Sequence, residues 1–186
     1  PELAQENPNI VALTADLASL SGLERYKTMF PDRFYNIGIA EQNMIGIAAG
    51  LSSEGYLPIV TTYATFVTLR SCEQIRHFLG YMKMRMVVVG SGAGLVQAYS
   101  GATHYAIEDL SVMRSIPNLV VLSPADAGSA LLAFEWAVGS DRPVYIRLTG
   151  ALNCPIVYKE GFDWQLGKSN VLLEGKDIVI FATGVM

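Results

Sequence analysis

Short apolar runs alternate along this chain with stretches whose apolar residues recur at helical spacing. Asn9–Asp16 (NIVALTAD) reads as a buried strand ending in an acid, and Ser19–Gly22 as a polar loop. Leu23–Phe30 is a short helix stopped by Pro31, since proline can neither donate nor fit inside a helix. Arg33–Asn36 is a strand, and a helix follows from Glu41 to about Glu54, ended by Gly55. Leu57–Tyr63 is a strand. Phe66–Tyr81 reads as one amphipathic helix, with Leu69, Ile75 and Leu79 inside and Arg70, Glu73 and Arg76 nearer solvent. Arg85–Gly94 is a central strand running into a Gly-rich loop, and Leu95–His104 has no period. Ile107–Ile116 is helical, Leu119–Pro124 a strand, and Ala127–Val138 a helix for which Asp126 is the N-cap. Pro143–Leu148 is the next strand. Strands joined by crossover helices predict a three-layer α/β/α fold around a mostly parallel sheet.

The pattern weakens after residue 150. Three regions result: a domain over 1–150, a connector over 151–176, and at 177–186 the opening strand of a further, truncated domain. The apolar runs in NVLLEGKDIVIFATG are split by a Glu-Gly-Lys turn. The chain starts inside what reads as a helix tail and stops just after an apolar strand and a glycine, so the natural protein is expected to continue beyond Met186.

Composition narrows the function classes. Of the 186 residues 51% are hydrophobic and 16% charged, which favours a large core and buried interfaces. A net charge of −4 speaks against nucleic acid or an anionic membrane surface. No apolar run reaches the ~18 residues of a membrane span, and no leader segment is visible. Cys72 and Cys154 lack metal-like spacing and are read as reduced residues of a cytoplasmic protein. With only two histidines, a multi-His metal site within this chain is excluded.

The candidate chemistry centres on Phe34–Leu51 (FYNIGIAEQNMIGIAAGL), a strand, a Gly-bearing turn and a helix whose first turn carries one acid, Glu41. Such a junction lies at the sheet edge where α/β proteins place ligands. Glu41 is either a working acid or a helix-terminal acid favoured by the dipole. Tyr63 and Phe66 put two aromatics at a strand end, as core or as a ligand platform. His104 sits among small residues in a loop and is the stronger histidine candidate; His77 reads as structural or surface. Asp16 either caps its loop or lines the cleft. The run Gly90-Ser91-Gly92-Ala93-Gly94 does not fit GxGxxG and has no acid about 20 residues on, so a dinucleotide site is disfavoured. A strand end that admits close backbone approach is the better reading.

GIAEQNMIGIAAGL, YATF, GATHYAIEDLSVMRSIPNLVVLSPADA and PVYIRL, in this order and spacing, resemble the pyrimidine-binding domain of the transketolase family. The likeness runs from about Pro1 to Gly150 and points to the C-terminal-half subunit of a split transketolase. It implies thiamine diphosphate as cofactor. Glu41 matches the glutamate that hydrogen-bonds the aminopyrimidine ring, where a carboxyl holding or sharing a proton helps ready the thiazolium carbon as a nucleophile. Apolar neighbours Ile39, Met44 and Ile45 are expected to surround it. Tyr63 and Phe66 match the aromatics that pack on that ring, and His104 the histidine that meets substrate near the reacting carbon. Gln42 and Asn43 are expected near a dimer contact, and the helix from Met44 to Leu51 to pack closely on a partner.

The departures are informative. Ser100 stands where the family places an aspartate that reads a donor hydroxyl, and remains a substrate-binding candidate. Gly92 and Gly150 stand where the family has charged phosphate ligands, and glycine offers no charge-assisted bond. Arg147 is the nearby residue able to compensate by shifting. An unphosphorylated or atypical keto-sugar is the implied substrate. The family's GDG…N motif, which holds Mg2+ and the diphosphate in a separate domain, is absent here. The resemblance therefore implies a diphosphate-binding domain or N-terminal-half subunit as partner, a homo-oligomer, and no turnover by this chain alone. The competing readings are a deoxyxylulose-phosphate-synthase-like enzyme and a non-catalytic binding or assembly relative, the latter prompted by the unusual loop at Gln97–Ser100. A plain Rossmann oxidoreductase ranks third.

Overall fold

The computed structural model describes residues 1–150, 154–158, 162 and 164–185. Six strands form one sheet: β1 (Ile10–Thr14), β2 (Phe34–Asn36), β3 (Leu57–Tyr63), β4 (Val87–Ser91), β5 (Val120–Leu122) and β6 (Val144–Arg147). Their order is β2-β1-β3-β4-β6-β5, and every pairing is parallel. All strands therefore end on one edge, and loops from the two central strands, β3 and β4, open there.

The layers follow from strand alternation. Val11, Leu13, Val60, Val88 and Tyr145 face one side, packed with Met44, Ile45, Ala48 and Ala49 of α3 (Glu41–Ser53) and Met113 of α5 (Asp109–Arg114). Ile10, Ala12, Ile59, Val87, Val144 and Ile146 face the other. They pack against Ala4 of α1 (Glu2–Glu6), Tyr26 of α2 (Glu24–Met29), and Ala133 and Ala137 of α6 (Ala127–Gly139). Both faces being covered explains strands that are apolar throughout rather than alternating. No helix among the described residues is long and apolar enough to cross a membrane.

The segment expected as one amphipathic helix over Phe66–Tyr81 is instead two π-helical stretches, Phe66–Arg70 and Arg76–Tyr81, flanking α4 (Cys72–Ile75). Wider i→i+5 turns absorb extra residues. The buried stripe becomes Val67, Ser71, Ile75 and Leu79, while Leu69, expected inside, is 47% exposed.

The tail differs more. No helix or strand occurs among the described residues after β6, and Ile178, Val179, Ile180 and Phe181 are 77–86% exposed. An apolar run forms a strand only where an edge accepts it, and no strand among the described residues pairs with it. The connector is nonetheless tethered. Asp126 caps α6 by accepting from Ser129 N–H at 2.8 Å, and its other oxygen accepts from the N–H groups of Val157 and Tyr158 at 2.9 and 3.0 Å. Burial would raise this carboxyl, but the hydrogen bonds from Ser129, Tyr158 and Val157 outweigh it and hold the pKa at about 2. Residues 151–153, 159–161, 163 and 186, parts of the expected connector and final domain, lie outside the described residues.

Candidate functional site

The strand-to-helix junction after β2 is held by a side-chain clasp across the sheet edge. Asn36 Oδ1 accepts from the N–H groups of Asp16 and Gly38, and Asn36 Nδ2 donates to Asp16 Oδ1 at 3.1 Å. Asp16, in a left-handed conformation (φ 59°), is thus tied to the end of β2, while Thr14 Oγ1 accepts from Leu17 N–H in its loop. This fixes the turn that delivers Glu41 to the first position of α3, where its side chain is 4% exposed.

Glu41 does not cap its helix. Both carboxylate oxygens accept from Arg70 Nη1, at 3.2 and 3.1 Å. Arg70 in turn lies over the Phe66 ring, 4.0 Å from its centroid. The four-residue spacing sets Phe66 and Arg70 on one side of the helical turn. The surroundings of Glu41 are therefore less apolar than expected. Met44 and Ile45 are fully buried, but Ile39 is 74% exposed and a guanidinium takes its place beside the carboxylate.

The expected ring residues assemble. Phe66 and His104 lie 5.1 Å apart, Tyr63 and His104 6.0 Å, and Tyr63 and Phe66 6.0 Å, all edge-to-face. Burial, with a smaller effect of Tyr99, raises the Tyr63 phenol, which stays neutral. His104 is presented by the loop after β4. Two hydrogen bonds between Gly94 and Ala106, at 2.9 and 3.0 Å, close the base of that loop, and Thr103 Oγ1 lies 3.0 Å from His104 Nδ1. Glu41, Tyr63, Phe66 and His104 thus share one edge of the sheet. Ser100 lies on the exposed outer turn of the same loop, without a side-chain partner among the described residues.

Gly92 and Gly150 also come together. A Cβ on Gly150 would lie 3.7 Å from the Gly92 nitrogen, so the two positions expected to lack phosphate ligands form one uncharged corner. Arg147 stands beside this corner, its Nη2 3.5 Å from where a Cβ on Gly94 would lie. Its Nε donates to Asp109 Oδ2 at 2.8 Å, and its side chain is 12% exposed. Tyr145 donates to the same oxygen at 3.2 Å, its phenol pushed well above the usual value by burial and then by the Asp109 charge. The Gly-rich strand end has a steric cause too: a Cβ on Gly90 would fall 2.5 Å from Tyr145 Oη.

One expectation about a surface changes. Met44, Ile45, Ala48 and Ala49 are used by this chain's own core, leaving Gln42, Asn43, Ile47 and Gly50 outward. His77 is exposed beside Tyr81 and Phe78, away from the site. Arg70 is the residue that sequence reasoning missed. Its four-residue spacing from Phe66 hinted at the cation–π contact, but nothing marked the pairing with Glu41, 29 residues away.

A parallel three-layer domain with an acid and an aromatic cluster at the carboxyl edge defines a class of α/β ligand-binding domains. Within it, residues 1–154 match the family described as transketolase, pyrimidine binding domain, and the chain belongs to that family. It is 40% identical over its whole length to 57% of a 6-deoxy-6-sulfo-D-fructose transketolase subunit, SqwH, from Clostridium sp. (strain MSTE9). It is 35% identical, over 98% of its length, to 59% of one of the subunits of an apulose-4-phosphate transketolase from Phocaeicola vulgatus. A solved split gene transketolase, described as an inactive beta4 tetramer, superposes with a TM-score of 0.86 at 42% identity, covering 99% of this chain and 59% of that one. The chain thus spans a little over half the length of these relatives.

Proposed function

We propose that this chain supplies the pyrimidine side of a thiamine diphosphate site in a transketolase-type enzyme that moves a ketol unit between sugars. The observation that carries this reading is the buried Glu41 carboxylate set, through Arg70, beside the Phe66–His104–Tyr63 ring cluster. The donor set fits the group: a dry carboxylate suits a ring nitrogen and amine, and rigid aromatic faces suit a flat heterocycle. When bound, thiamine diphosphate supplies the carbon nucleophile. Glu41 Oε holds or shares the proton at the pyrimidine ring, and Arg70 keeps that carboxylate in place. Tyr63 and Phe66 orient the ring, His104 donates to the developing alkoxide of the substrate, and Ser100 reads a donor hydroxyl from the outer turn.

The uncharged Gly92–Gly150 corner supports an atypical keto-sugar, unphosphorylated or with its anionic group bound by other residues. Mg2+ and the diphosphate belong to a partner domain or N-terminal-half subunit. The working unit is a cytoplasmic oligomer, at least a dimer, and the outward Gln42 and Asn43 belong to its contact surface. We take 1–150 as the pyrimidine domain, 151–176 as the connector and 177–186 as the first strand of a following domain. The exposure of Ile178 to Phe181 supports that last assignment.

The test is calorimetry with thiamine diphosphate on the chain assembled with its partner half. Glu41→Ala should abolish binding, and turnover on plain and phosphorylated ketoses should rank the substrates. Undiminished binding by the Glu41→Ala assembly sinks the cofactor assignment. A strong preference for ordinary pentose phosphates sinks the atypical-sugar assignment.

A further inference from the structure

We propose that Gln97 is a specificity-determining residue: its side-chain amide reads a hydroxyl on the sugar chain of the substrate, from the space a side chain at position 92 would otherwise occupy. This rests on the functional reading above.

Gly92 adopts φ +63°, and a Cβ there would lie 2.9 Å from Gln97 Cγ, 3.1 Å from Gln97 Nε2 and 3.3 Å from the Tyr63 ring. The Gln97 side chain therefore fills the corner where Gly92 meets Tyr63, next to the ring cluster that includes His104. Its Oε1 is shut off from solvent and has no hydrogen-bond partner among the described residues. A dry amide oxygen without a partner is expensive to keep, and such groups in native structures call for a specific explanation.

Several features make the missing partner a hydroxyl. Residues 92–108 contain no Lys or Arg, so the loop itself brings no cation to the corner. Arg147, the cation at the neighbouring strand end, is engaged with Asp109. A hydroxyl both donates and accepts, so it satisfies either end of the carboxamide once the amide turns to present it to the cleft. The Gly94–Ala106 clasp holds Gln97 and His104 in one closed loop. Both side chains neighbour Tyr63, so a sugar with its carbonyl carbon near His104 would extend its hydroxyl-bearing chain past the same ring toward Gln97. A site built to pair with a hydroxyl discriminates strongly against an analogue lacking it.

The experiment uses the full-length chain assembled with its partner half. Donors are hydroxypyruvate, which has no hydroxyl beyond the ketol carbon, and whichever of D-xylulose, D-fructose or their terminal phosphates is turned over best. Gln97→Met keeps length and removes the amide. The ratio of kcat/KM for the ketose over that for hydroxypyruvate should fall about 10- to 100-fold, chiefly through KM, with thiamine diphosphate affinity unchanged. In the unaltered assembly, one member of a series of ketose analogues each lacking one hydroxyl should be disfavoured to a similar extent, and Gln97→Met should add nothing on that analogue. An unchanged ratio overturns the proposal. So does an equal loss on both donors, turnover of hydroxypyruvate alone, or no discrimination among the deoxy analogues, the last read without any variant. An assembly that binds no thiamine diphosphate overturns the functional reading itself, and this one with it.

Discussion

Removing Arg70 should expose how Glu41 is held. Glu41 is 4% exposed and its two oxygens accept from Arg70 alone among the described residues. Breaking a buried ion pair by deleting one partner typically costs about 3–5 kcal/mol. Arg70 itself is 49% exposed, so water enters from its side and the penalty falls to about 2 kcal/mol. Loss of the Phe66 stacking adds about 0.5–1 kcal/mol. Arg70→Ala should therefore destabilise the domain by about 3 kcal/mol, shifting a urea midpoint by roughly 1–1.5 M for an m-value near 2 kcal/mol/M. The sharper readout is a double-mutant cycle with Glu41→Gln. In the native background that change should destabilise by about 1 kcal/mol. In the Arg70→Ala background it should be neutral or stabilising, because it removes a buried charge already without a partner. Additive effects, or an Arg70→Ala variant within about 0.5 kcal/mol of the native protein, would falsify the account of Arg70 as the residue that fixes the carboxylate.

Other outcomes follow from the packing and the caps. Gly90→Ala places a Cβ 2.5 Å from Tyr145 Oη and should cost about 1–3 kcal/mol by overpacking, read as a lowered melting temperature; Tyr145→Phe in the same chain should recover part of it. Asp126→Ala removes the α6 cap and the tether of Val157 and Tyr158, and should cost about 1–2 kcal/mol in urea titrations. Because the folded-state pKa of Asp126 lies at about 2, below its unfolded value, its contribution is present above pH 4 and lost as pH falls toward 2. Melts of the native protein against Asp126→Asn should therefore converge over that window.

Much of the scaffold is legible in the sequence because it rests on local signals. Apolar runs such as IVALT and LPIVTTY, the proline after Phe30 and the Asp126 cap each act within a few residues. That Glu41, Tyr63, Phe66 and His104 gather at one sheet edge is also legible, since each lies at or after the carboxyl end of a parallel strand. What escaped depends on distance or on a break in periodicity. The π-turns keep the composition of a helix and change only its winding, so Leu69 fell on the wrong side. Arg70 read as a surface residue because its partner is set by the fold rather than by spacing. Arg147 read as a candidate ligand because Asp109, which engages it, lies 38 residues earlier. Gln97 stands in the sequence only as one end of an unusual loop, because the role proposed for it arises from the side chain that Gly92 lacks.

The clasp between Gly94 and Ala106 has an evolutionary consequence. It separates the loop over residues 95–105 from the sheet that supports it, so changes in the loop need not propagate into the core. The entropic penalty for lengthening a closed flexible loop grows slowly, by ~0.6 kcal/mol per doubling. The outer turn can then gain, lose or exchange residues while Glu41, Tyr63 and Phe66 stay on their own elements. One scaffold can in this way be retuned from one sugar to another by replacing a cassette, and divergence among relatives should concentrate between the two clasping residues.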